Sequence, residues 1–116
     1  MTRRSKKNRI LCMLIDFKRE MRVEDIAMKE RVAIFLFGSA TCGPCVSVKK
    51  KLQLYSKEHK DVPIYYVSTD KFQRMAAQMD IFSIPTILVY VEGKLLVRES
   101  QVFSLTEILE KVGQYL

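Results

Sequence analysis

The chain has 116 residues, of which 48% are hydrophobic and 28% charged, a composition that suits one soluble globular domain with one core. Folding at this length removes roughly two-thirds of the exposed surface, so neither a disulfide nor a structural metal is needed to hold the fold, and the three cysteines are free for chemistry. The net charge of +7 includes an acid-free cluster at Arg3, Arg4, Lys6, Lys7 and Arg9; the remainder is nearly balanced, and with no aromatic-interleaved basic stripe neither nucleic acid nor a membrane surface is expected as a partner.

The basic leader is followed by Ile10-Leu11-Cys12-Met13-Leu14-Ile15, an apolar run that stops at Asp16. Six residues fall short of the roughly 7–15 of a secretory h-region, and no stretch approaches the ~18 of a membrane-spanning helix. A cytoplasmic location is therefore expected. Residues 10–15 form a short first strand or belong to a disordered arm. Residues 1–20 are read as a leader contributing little to the core, residues 21–116 as the folded domain, and Met21 at the join as an alternative start.

Val23–Glu30, with Glu24 and Asp25 near its start, reads as a short helix. Val32-Ala33-Ile34-Phe35-Leu36-Phe37, ending in Gly38, is a continuous apolar run suited to a strand covered on both faces. From Pro44 to His59 the apolar positions Cys45, Val48, Leu52 and Tyr55 recur at helical spacing, with lysines elsewhere around the wheel, which predicts an amphipathic helix of about four turns. Ile64–Val67 is a strand opened by Pro63, and Thr69 or Asp70 is the expected N-cap of a helix running through Met75 and Met79. Thr86–Val91, Glu92-Gly93 and Leu95–Val102 read as a hairpin. Ser104 and Glu107 have capping-box spacing before a C-terminal helix carrying Ile108, Leu109, Val112 and Leu116. The order β-α-β-α-β-α-β-β-α predicts an α/β domain with a central mixed β-sheet flanked by helices.

Chemistry concentrates at Cys42-Gly43-Pro44-Cys45, between the buried strand and the long helix. The unpaired N–H groups and dipole of a helix start favour negative charge, so Cys42 is expected as a thiolate with its pKa below the usual value of about 8.5. Two intervening residues keep the sulfurs within disulfide reach, and Pro44 is tolerated because first-turn amides have no helical acceptor. Cys45, on the apolar face, is the expected buried partner. Cys42 would attack a disulfide, and Cys45 would then displace the mixed-disulfide partner by closing the Cys42–Cys45 bond. Paired cysteines also bind metals, but a zinc site needs four ligands and only Cys12 and His59 remain, without finger-like spacing. No metal or cofactor is expected; His59 reads as a helix-end residue and Cys12 as a small apolar one.

With Ile84-Pro85-Thr86 far downstream of Cys45, this arrangement resembles the thioredoxin family over about residues 22–116. The resemblance implies a thioredoxin fold, with Pro85 cis beside the cysteine pair and the Ile84 main chain open to substrate. It makes Cys42 and Cys45 the catalytic pair, with Thr41, Gly43, Pro44, Ile84 and Pro85 as the substrate-contacting set. Disulfide-containing proteins are the implied substrates of a monomeric reductant, which would be recharged by a thioredoxin-reductase-like protein or a small thiol.

The family usually carries Trp where this chain has Thr41, and there is no Trp in the sequence. Leu36 stands at the place of the family's buried carboxylate, Tyr66 at that of its companion lysine, and Gln101 at that of a groove glycine. Gly-Pro between the cysteines resembles reducing members more than oxidases or isomerases. A disulfide isomerase or oxidase and a non-catalytic binding protein remain the alternatives.

Overall fold

The computed structural model describes residues 14–116. Nine elements follow in order: β1 (Ile15–Asp16), α1 (Val23–Lys29), β2 (Val32–Gly38), α2 (Gly43–Glu58), β3 (Ile64–Ser68), α3 (Gln73–Gln78), β4 (Thr86–Val91), β5 (Lys94–Ser100) and α4 (Leu105–Gly113). One sheet has the strand order β1-β3-β2-β4-β5. β1 and β2 run parallel to β3, whereas β4 is antiparallel to both β2 and β5.

All seven residues of β2 are buried, and because side chains alternate between sheet faces, the strand feeds two cores. Val32, Ile34 and Leu36 pack with Leu52 of α2 and with Leu105, Ile108 and Val112 of α4. Ala33, Phe35 and Phe37 pack with Val23 of α1, with Ala76 of α3, and with Phe17 and Ile81. The uninterrupted apolar run is thus the consequence of helices covering both sides.

At the hairpin, Glu92 and Gly93 both have positive φ, 50° and 85°, the conformation that matches the right-handed twist of the flanking strands. Met28 Sδ lies 2.9 Å from where a Cβ on Gly93 would stand, so only glycine fits without displacing it. Ser104 Oγ accepts the Glu107 N–H at 3.2 Å and caps α4, in agreement with the sequence reading of that terminus.

Five boundaries differ from expectation. Among the described residues the first strand is Ile15–Asp16, so the strand expected over 10–15 extends at least to Asp16; residues 10–13, Cys12 included, lie outside the described residues. The 20/21 division cuts through the fold, because β1 pairs with β3, the Phe17 N–H donates to the Tyr66 carbonyl at 2.9 Å, and Phe17 is buried. Neither Thr69 nor Asp70 caps α3, whose N-cap is Phe72 without a side-chain bond. Their oxygens are engaged elsewhere: Thr69 Oγ1 donates to the Gly38 carbonyl and Asp70 Oδ2 accepts from Ser39 Oγ. Finally, α4 ends at Gly113 and β5 at Ser100.

Candidate functional site

The C-terminal ends of β2 and β3 and the N-terminal end of β4 meet at one sheet edge, since Phe37 pairs with Thr86 and Gly38 with Ser68. From this edge β2 leads through residues 39–41 into the Cys-Gly-Pro-Cys turn, while Pro85 opens β4 directly opposite. Cys42 is the N-cap of α2, and its sulfur accepts the Cys45 N–H at 3.2 Å. Sulfur here occupies the position of a capping oxygen, so one orphan amide and the positive end of a 16-residue helix act on it together.

Cys42 and Cys45 are joined as a disulfide with a Cα–Cα separation of 5.3 Å. Cys42 is half-buried, whereas Cys45 is 1% exposed. The two sulfurs therefore meet solvent unequally. Pro44 sits in the first turn of α2, and a Cβ on Gly43 would meet nothing within 4 Å, leaving open space beside the disulfide.

On the other side of the edge, the Ile84–Pro85 peptide bond is cis. Pro85 is buried and Ile84 half-buried. The segment is tied down from two directions. Thr86 Oγ1 donates to the Ser83 carbonyl at 2.7 Å and shares a hydrogen bond with Ser100 Oγ at 2.9 Å. The Gln101 N–H donates to the Pro85 carbonyl at 2.7 Å from a backbone with φ of 66°. Further back, Arg98 donates to the Met79 and Asp80 carbonyls, which anchors the end of α3 and the start of the loop to Pro85. Exposed Phe82 and Val102 lie on the two segments so fastened.

Of the expected site residues, Thr41 through Cys45 form one continuous turn, and Ile84 with Pro85 stand across the edge from it. His59 does not join them. It ends α2, its ring stacked on Tyr55 at 4.0 Å, about 21 Å along the helix from Cys45 at 1.5 Å per residue.

The sequence reading missed three participants. Ser39 is buried, receives the Thr41 N–H at 3.3 Å, contacts Thr41 Oγ1 at 3.1 Å and donates to Asp70 Oδ2 at 3.0 Å. Gly38 is the point where Cys45 and Tyr66 converge: a Cβ there would lie 3.1 Å from Cys45 Sγ and 3.3 Å from Tyr66 Cε1. Lys49 places its Nζ 4.2 Å from the Tyr66 ring centroid. The phenol of Tyr66 is held above its usual range, first by burial and then by the charges of Asp70 and Asp16. The spacing of Lys49 from Cys45, one helical turn, could have been noticed in the sequence; the Gly38–Tyr66 approach and the Ser39–Asp70 bond join segments far apart in the chain.

A helix-capping sulfur, a second cysteine buried beneath it and a proline segment across the sheet edge define a thiol-disulfide oxidoreductase of thioredoxin fold. Residues 14–113 match the thioredoxin family model, and the chain belongs to the thioredoxin family. It is 30% identical over 81 residues to a thioredoxin of Mycoplasma genitalium, a match covering 70% of this chain and 79% of the relative. Thioredoxin-2 of Saccharomyces cerevisiae is 23% identical over 69 residues, covering 60% of this chain and 66% of the relative. Among solved structures, thioredoxin O1 of Arabidopsis thaliana in its oxidized state superposes with a TM-score of 0.75 at 21% identity, covering 88% of this chain and 96% of that one. A mutant thioredoxin from Halobacterium salinarum NRC-1 gives a TM-score of 0.76 at 15% identity over 90% and 91% of the two chains. Among the described residues no helix is long and apolar enough to cross a membrane.

Proposed function

We propose that the protein reduces disulfides in other proteins, with Cys42 as the attacking thiolate and Cys45 as the resolving thiol. The observation that carries this reading is the Cys45 N–H held on the Cys42 sulfur at the head of α2, which stabilises the anionic form of the more accessible cysteine. The Cys42 thiolate attacks one substrate sulfur, forming a mixed disulfide and releasing the other substrate sulfur as a thiolate that takes up a proton. Cys45 then loses its proton and attacks the Cys42 sulfur, breaking the bond to substrate. The protein leaves oxidised as the Cys42–Cys45 disulfide, two electrons having passed to the substrate.

Thr41, Gly43, Pro44, Ile84 and Pro85 contact the substrate chain in this reading. Open space at Gly43 leaves room for the substrate beside the disulfide, and exposed Phe82 and Val102 extend an apolar border around it. A thioredoxin-reductase-like protein or a small thiol returns the electrons, in a reducing compartment such as the cytoplasm. The yeast and bacterial relatives named as thioredoxins support this assignment.

The test is reduction of a model protein disulfide with a small dithiol as electron source. Cys42→Ser abolishes turnover, and Cys45→Ser accumulates a covalent mixed disulfide whose captured partner identifies the substrate. The Cys42–Cys45 reduction potential separates the reductant from an oxidase or isomerase: about −270 mV supports the former, and about −120 to −180 mV rejects it. A Cys42→Ser, Cys45→Ser double variant with full biological function would overturn the catalytic reading in favour of a binding role.

A further inference from the structure

Cys45 must ionise to resolve the mixed disulfide, yet its surroundings are poor in solvent. It is 1% exposed, and Gly38 approaches so closely that a single added Cβ would lie 3.0 Å from Cys45 Cβ and 3.1 Å from its sulfur. Leu36, which shares the α2-facing side of β2 with Gly38 by the two-residue period, is fully buried in an apolar cluster. Burial of this kind disfavours a thiolate unless a positive charge stands nearby.

Tyr66 reaches the same point from β3, its ring edge 3.3 Å from the position a Gly38 Cβ would take. The ring is covered by the Lys49 ammonium at 4.2 Å from the centroid. Lys49 follows Cys45 by four residues on α2, and residues so spaced share one face of a helix. The aromatic face attracts the cation and so fixes a side chain that would otherwise extend into water. The other charged groups acting on Tyr66 are Asp70, from the turn after β3, and Asp16, from β1. Both are acidic and oppose a second anion. The phenol of Tyr66 stays neutral well into the alkaline range because burial and these two acids raise its pKa. On the β2 side Gly38 approaches Cys45 and Leu36 shares its face of the strand, and neither carries charge.

We propose that Lys49, held in place by the Tyr66 ring, is the cation that stabilises the Cys45 thiolate during the resolving step, with Tyr66 as its positioning residue. This rests on the reading of Cys45 as the resolving thiol. In that step the Cys45 proton passes to water, the thiolate sulfur bonds to Cys42 Sγ, the Cys42–substrate bond breaks, and the substrate sulfur departs with the electron pair and then takes up a proton. Lys49 exchanges no proton or electron; its charge lowers the energy of the anion that attacks. Formation of the mixed disulfide by Cys42 depends on the head of α2 and does not involve it.

Rapid-mixing measurement of the two steps separately, with the full chain and a model protein disulfide across pH 6–10, tests the inference. Lys49→Met keeps the apolar stem and removes the charge. It is expected to slow the second step about tenfold at neutral pH and to move the midpoint of that step's pH profile up by about one unit, leaving the first step unchanged. Lys49→Arg restores both values, because a guanidinium also seats on an aromatic face. Tyr66→Phe keeps the ring and the effect, whereas Tyr66→Leu reproduces Lys49→Met. A Lys49→Met protein whose second-step profile has not moved, or whose two steps slow equally, overturns the role of Lys49. Failure of Cys45→Ser to accumulate a mixed disulfide would instead reject the resolving role of Cys45 itself.

Discussion

Ser39 Oγ donates to Asp70 Oδ2 at 3.0 Å across 31 residues of sequence, joining the segment that leads into Cys42 to the turn that follows β3. Ser39 also carries the Thr41 N–H and, through its carbonyl, the Cys42 N–H at 3.2 Å. The turn that presents the disulfide is therefore fastened to the sheet by one buried hydroxyl. Ser39→Ala is expected to cost about 1 kcal/mol, because exposed Asp70 regains water while the Thr41 amide loses its partner. Urea unfolding checks this, and a loss below experimental error would show that the link does not stabilise the turn.

Phe17 ties the segment before α1 into the core. It packs edge-on against Phe72 with ring centroids 5.3 Å apart and is 6% exposed. Phe17→Ala should cost about 3 kcal/mol through the cavity it leaves. Truncation to Met21 should cost more, because β1 is lost as well. A melting temperature unchanged by that truncation would return the boundary to residue 21.

Gln101 holds φ of 66°, a left-handed conformation that costs a residue with a Cβ roughly 1 kcal/mol. Gln101→Gly should raise stability by about that amount while keeping the bond from its N–H to Pro85. Thermal unfolding decides it: a destabilised variant would mean that the Gln101 side chain contributes more than its backbone costs.

Leu36 is fully buried in the α2-facing core, so Leu36→Asp should destabilise by about 3–5 kcal/mol. If the variant folds, its carboxylate stands on the Cys45 side of β2 and should speed the resolving step near neutral pH by accepting the Cys45 proton. The native second step should accelerate with rising pH. A native step already fast and independent of pH would show that another group serves as base.

Tyr55, Tyr65, Tyr66 and Tyr90 all have pKa values raised chiefly by burial, with acidic neighbours adding to it. An unfolded tyrosine ionises near pH 10, whereas these hold their protons to higher pH. The unfolded state then binds fewer protons, so stability is complete below about pH 10 and falls as pH rises through the folded-state values. Denaturation midpoints measured from pH 9 upward should decline, and a flat profile would contradict the shared direction of the four shifts.

Much of this architecture could be read from local pattern. The unbroken apolar run at residues 32–37 announced a strand covered on both faces, the 3,4 spacing from Cys45 to Tyr55 announced α2, and Ser104 with Glu107 marked the start of α4. The cysteine pair at a strand-to-helix junction marks the reactive end of the molecule in the sequence itself, because the electrostatics of a helix start depend only on chain-local geometry. Tertiary structure decided everything that required two distant segments to meet. Thr69 and Asp70 look like caps in sequence, yet their oxygens are taken by Gly38 and Ser39 across the sheet. The leader looked dispensable because its apolar run is short, yet two residues of strand suffice when β3 supplies the hydrogen bonds and Phe72 the packing. Gly38, Tyr66 and Lys49 are unremarkable apart. Only the parallel pairing of β2 with β3 beneath α2 brings the Gly38 backbone and the Tyr66 ring together beside Cys45, with the Lys49 ammonium over that ring.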